Sequence, residues 1–143
     1  MTEQTKDTPW LTLRLTYGLV PIVAGLDKFT NILTDWTQYL SPQILRIVPV
    51  SGSTFMHAVG IIEIVAGVLV LSRFTRFGAY LVSAWLVAVA ASLVSTGKYF
   101  DVAVRDAVMA VGAFTLARLT ERRSVTASAS HERALAPAHA SVT

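Results

Sequence analysis

The most constraining feature of this chain is a run of twenty residues, Phe77 to Thr96, without a single charged side chain. At 1.5 Å rise per residue, a helix of about 20 residues matches the ~30 Å hydrocarbon core of a bilayer. At 143 residues the chain is long enough for one domain only. The surroundings of that run repeat the pattern. Apolar residues make up 53% of the chain and charged residues 15%, against roughly 25% charged in soluble domains, and the charges gather between the apolar runs.

Four spans are expected, at about residues 10–29, 54–71, 77–96 and 100–119. The first contains Pro21, which a membrane helix tolerates when neighbours satisfy the freed carbonyl. The fourth is interrupted, because its uncharged part, Ala107 to Ala117, is too short to cross alone. It spans only if Arg105 and Asp106 lie within the helix. Residues 1–9 are read as a cytoplasmic N-terminal tail. They carry Glu3 and Asp7 beside Lys6, with no small-x-small site downstream, so the first run reads as a retained helix rather than a cleaved signal. Residues 120–143 are rich in Ala, Ser and Thr without a sustained period, and read as a disordered cytoplasmic tail. The fold class is thus all-α: an antiparallel four-helix membrane bundle.

Between the first two spans, Asn31 to Ser53 mixes Trp36, Tyr39, Leu40, Ile44 and Ile47 with Asp35, Gln38 and Arg46, and is broken by Pro42 and Pro49. Short amphipathic helices in the membrane interface fit this composition; an ordinary ordered loop fits it nearly as well. With four spans, the termini share a side with the loop joining spans two and three. That side holds Lys6, Arg73, Arg76, Arg118, Arg122, Arg123 and Arg133; the other holds Lys28, Arg46, Lys98 and Arg105. The excess places both termini in the cytoplasm.

Charge at bilayer depth costs about 2.5 to 3.5 kcal/mol on insertion scales, so it faces protein and finds a partner. Glu63 lies midway along the second span, on one helical face with Gly60 and Gly67. Glycines let a neighbouring helix come close. On the first span Arg14, Gly18, Pro21, Gly25 and Lys28 share a face, with Arg14 toward the cytoplasmic end. Antiparallel threading brings Asp27, Lys28, His57, Arg105 and Asp106 near one plane in the outer half, with Glu63 one to two turns deeper. A polar cluster follows, with Glu63 paired to Arg105 or Lys28. Such a cluster either fixes helix register or lines a pocket for a polar ligand such as a quinone headgroup, with Glu63 a candidate proton carrier.

Several chemistries are excluded. With no cysteine there is no disulfide, thiolate nucleophile, iron–sulfur cluster or Cys-ligated zinc. His57 is a lone histidine and His131 and His139 fall in the tail, so no metal site is expected. Trp10, Trp36 and Trp85 read as interface anchors or packing residues. No Walker loop, dinucleotide fingerprint or nucleophile elbow occurs, so no cofactor is intrinsic and no catalytic residue is assigned. The net charge of +3 does not argue for nucleic acid, because most basic residues flank apolar runs.

Four segments, Arg14 to Val20, Gly25 to Phe29, Gly60 to Gly67 and Asp101 to Asp106, occur in an order that resembles the DoxX-like family of small four-helix membrane proteins. The likeness spans roughly Leu11 to Leu119, with Arg14, Gly25, Lys28, Phe29 and Glu63 at the family's positions. The segment from Asn31 to Ser53 is longer than the family's usual first loop. Members include the small subunit of an archaeal thiosulfate:quinone oxidoreductase and membrane anchors of an assembly with a superoxide dismutase and a sulfurtransferase. The resemblance therefore implies a bacterial inner-membrane protein working with membrane or peripheral partners in redox or sulfur metabolism. Three roles stay open: a non-catalytic accessory subunit, a quinone-reactive or proton-handling subunit using Glu63, Arg105 and Lys28, and a small transporter. No inverted repeat favours the last.

Overall fold

In the computed structural model, residues 3–135 are described, and they are all-helical. Helix α1 covers Glu3–Thr30, α2 Pro42–Ile47, α3 Gly52–Leu71, α4 Thr75–Ser95 and α5 Phe100–Leu135; a short 3-10 turn, Trp36–Tyr39, precedes α2. Three helices are long and apolar enough to cross a membrane: Thr8–Thr30 of α1, α3 and α4. Helix α5, which carries Asp101, Arg105 and Asp106 in its first two turns, is not among them.

Two boundaries differ from the sequence expectation. Helix α1 starts at Glu3, so residues 3–9 continue the helix instead of forming a separate tail. Extending a helix that is already nucleated costs far less than starting one. At the other end, α5 runs without a break past Thr120 to Leu135. This stretch has no apolar period to betray it. Its continuity comes from propagation, from good helix formers such as Ala127, Ala129, Arg122 and Glu132, and from hydroxyls that bond back to the preceding turn, as Thr126 does to the Arg122 carbonyl and Ser128 to that of Ser124. Residues 136–143 of the expected tail lie outside the described residues.

Neighbouring long helices run antiparallel. Gly25 meets Gly60 and Gly18 meets Gly67 where α1 crosses α3. A Cβ on Gly60 would stand 2.6 Å from the Gly25 carbonyl oxygen, and one on Gly67 would stand 2.5 Å from that of Gly18. The two backbones therefore touch, which only glycine permits. Gly78 on α4 abuts Val70 of α3, and Ser83 on α4 donates to the Ala110 carbonyl of α5 at 2.9 Å. Trp10 closes α1 onto α5 by donating to Thr120 at 2.9 Å.

The interior is built from small residues. Ala66, Ala79, Ala113 and Ala117 join Tyr17, Val70, Val82 and Leu116 in the main core. The large aliphatic side chains lie outside: Leu19, Val23, Ile61, Val68, Val87 and Val108 are about half exposed or more. This inversion of the soluble pattern is what a lipid solvent demands, since lipid tails are as apolar as leucine and helix association depends on close packing.

Several helix ends are capped by side chains. Arg14 donates to the carbonyls of Val70, Leu71 and Ser72. It thereby satisfies acceptors left open at the C-terminus of α3 and places a cation at the negative end of that helix. Between α4 and α5, Gly97 and Tyr99 adopt positive φ, 68° and 59°. For tyrosine this is an uncommon conformation, and its ring rests edge-on against Tyr39 at 4.9 Å. Asp35 caps the 3-10 turn through the Thr37 hydroxyl and amide, and those bonds hold its carboxyl below the usual aspartate range.

Candidate functional site

The site starts where α1 ends. Asn31 takes a left-handed conformation, φ 49°, which turns the chain back over the last helical turn. The buried carboxylate of Asp27 collects the returning donors. It accepts from the amides of Ile32 and Leu33 at 3.0 Å and from the Trp36 indole at 2.7 Å, with the Thr30 hydroxyl at 3.3 Å. One anion thus organises six residues of loop and fixes Trp36. The indole face then covers the next residue of α1, with the Lys28 ammonium 3.7 Å from the ring centroid.

Lys28 is 4% exposed and donates to Glu63 Oε2 at 2.6 Å. The other carboxylate oxygen accepts from the Trp85 indole of α4 at 3.4 Å. Lys28 and Glu63 meet one turn from the Gly25–Gly60 crossing, where the two backbones are closest. A buried ion pair is tolerated only when geometry is good and the remaining donors and acceptors are engaged. Here both conditions hold: each charge has its counter-charge and an indole. Sequence reasoning left two partners open for Glu63, and the structure selects Lys28.

Arg105 does not reach Glu63. Its side chain is 67% exposed and, among the described residues, pairs with the adjacent Asp106 at 3.7 Å. The reason is rotational: Arg105 falls on the outward face of α5, whereas Asp106 turns inward and is buried, within the field of Lys28. His57 also stands apart from the polar groups and stacks on Phe29, ring centroids 4.9 Å apart and nearly parallel. Asp27 belongs to the cluster through Trp36 rather than through an ion pair with Lys28. Arg14 lies at the opposite end of the molecule, where it caps α3. Among the described residues no three His, Asp or Glu side chains gather to hold a metal ion.

A family model described as DoxX matches residues 9–97. The chain belongs to the DoxX family. The match takes in α1 through α4 and the segment between α1 and α3, and ends before α5. In this DoxX chain the residues that build the pair, Lys28, Glu63, Trp36 and Trp85, all lie inside the matched region, while Arg105 and Asp106 lie beyond it. Searches among curated proteins and among solved structures give no match.

Two functional neighbours in the DoxX chain escape a sequence reading. Trp36 and Trp85 read as interface anchors or packing residues, and the structure packs both onto the ion pair. Trp85 falls just over half a turn along α4 from Ser83, whose hydroxyl faces α5, and nothing in the spacing tells which tryptophan meets which charge. A signal does exist for Trp36. An aspartate in the last turn of an apolar helix, followed by Asn31 and then an indole within ten residues, is the pattern of a carboxylate-held turn.

Proposed function

We propose that this DoxX protein is an accessory or anchor subunit of a membrane redox assembly, a four-span bundle in the bacterial inner membrane with both termini in the cytoplasm. The observation that carries this reading is the closed Lys28–Glu63 pair. The two charges of the pair are engaged with each other and with indoles, which suits a rigid scaffold better than a site that must bind and release a substrate. The fourth span is α5, whose Asp106 turns inward. The orientation rests on the excess of arginines at the end shared by Arg73, Arg76, Arg118 and Arg122. The link to quinone or sulfur metabolism rests on what DoxX membership implies.

The test is native purification. Extracted in mild detergent from its own membranes, the chain should migrate with at least one other polypeptide in fixed stoichiometry. Migration as this polypeptide alone, across several detergents, overturns the anchor role.

A second reading is favoured by one arrangement. Two couples of ionisable groups, Arg105 with Asp106 on α5 and Lys28 with Glu63 between α1 and α3, lie in the same half of the molecule. Such a grouping suits proton delivery to a quinone or similar acceptor. Glu63→Gln discriminates between the two. Loss of quinone reduction by an intact assembly supports proton handling. An intact assembly with unchanged quinone reduction, or an assembly that falls apart, supports the scaffold.

A further inference from the structure

The outward faces of the helices are not alike. Within their apolar lengths, α1, α3 and α4 show only uncharged residues to the outside, among them Leu19, Val23, Ile61, Val65 and Val87. Helix α5 differs. Its exposed stripe, at i, i+3, i+4 and i+7 spacing, is Asp101, Val104, Arg105, Val108 and Val111. It carries an anion and a cation one turn apart among valines that are about two-thirds exposed. Among the described residues Asp101 has no ion pair, and Arg105 pairs with its own neighbour Asp106 at 3.7 Å. Beside the stripe an apolar groove of about 560 Å³ runs between α4 and α5, floored by Ala90, Ala103, Ala107 and Ala110.

We propose that this face of α5 packs against the same face of a second copy of the chain, about a twofold axis along the membrane normal. The charges select the occupant. A twofold along the normal sets residue 101 beside its counterpart and 105 beside its own, and the step of about 6 Å between the two levels is within reach of an arginine side chain, so each Arg105 pairs diagonally with the partner's Asp101. The valines then enter the partner's alanine-floored groove, where small residues allow close approach. The same contact removes from lipid the two exposed charges in the first turns of α5, Asp101 and Arg105. The inference rests on α5 being a membrane span.

A chain without cysteine makes the test direct. Single cysteines are placed at Val104, Val108 or Val111, and at Leu19 and Val65 as outward controls on α1 and α3. Membranes are then oxidised. Cross-linking to twice the monomer mass is expected on the α5 stripe and not at the controls. Asp101→Arg alone and Arg105→Asp alone should lower the Val108→Cys cross-link about three- to tenfold, the worth of one interhelical polar contact, and the double exchange should restore it. Equal cross-linking at all positions, cross-links to a different polypeptide only, or no rescue by the double exchange would overturn the dimer. Blocking by a membrane-impermeant maleimide separates the two claims. A Val108→Cys thiol that reacts from water removes the span itself; one that is protected yet stays monomeric removes only the pairing.

Discussion

Lys28 and Glu63 stand 35 positions apart in the sequence and 2.6 Å apart in space. The antiparallel crossing of α1 and α3 makes this contact, and the glycines beside it set how close the helices come.

The glycine crossing should therefore resist enlargement. Gly60→Val puts branched carbons where the Gly25 carbonyl already stands 2.6 Å from a Cβ position. Overpacking of this kind costs about 1–3 kcal/mol. Thermal unfolding in detergent should show a clear fall in Tm, while Ala88→Val on the exposed face of α4 leaves Tm unchanged.

The loop after α1 should depend on Asp27. Asp27→Ala strands the amides of Ile32 and Leu33 and the Trp36 indole, at about 1–3 kcal/mol for each buried group left unpaired. Hydrogen exchange should speed up at Ile32 and Leu33 and stay slow in the middle of α3, and Trp36 emission should shift to the red. Asp27→Asn keeps one acceptor oxygen, so its effects should be smaller.

At the opposite end, Arg14→Leu removes the cap on α3. Charge-assisted hydrogen bonds are worth about 1.5–3 kcal/mol, so Tm should fall, and exchange should increase in the Leu71–Ser72 turn without reaching the Lys28 region.

A chain ended after Arg123 should lose helical signal in far-ultraviolet circular dichroism, because residues 124–135 belong to α5. Residues 124–133 are exposed and add nothing to the core, so Tm should stay the same.

Much of this was legible in the sequence. Arg14, Gly18, Gly25 and Lys28 share a helical stripe, and all four do face α3. Gly60, Glu63 and Gly67 return the match from the other side. Those relations follow from 3.6 residues per turn and need no tertiary knowledge. The partner of Glu63 was not legible, because Arg105 and Lys28 lie at similar depth and only the rotation of α5 about its axis separates them. The inward aim of Trp36 depends on the Asn31 turn, and that of Trp85 on how α4 seats against α3. The distal half of α5 was missed because its helix rests on propagation and propensity, which leave no apolar period.

The most direct measurement is a double-mutant cycle on the pair, with Lys28→Met, Glu63→Gln and the two combined, followed by thermal unfolding in detergent. Each single variant leaves one buried charge uncompensated, and the cost should be about 3–5 kcal/mol. The double variant should be clearly more stable than the sum of the two losses predicts. Additive losses, or single variants as stable as the parent, would contradict a dry, mutually dependent ion pair at the centre of the fold.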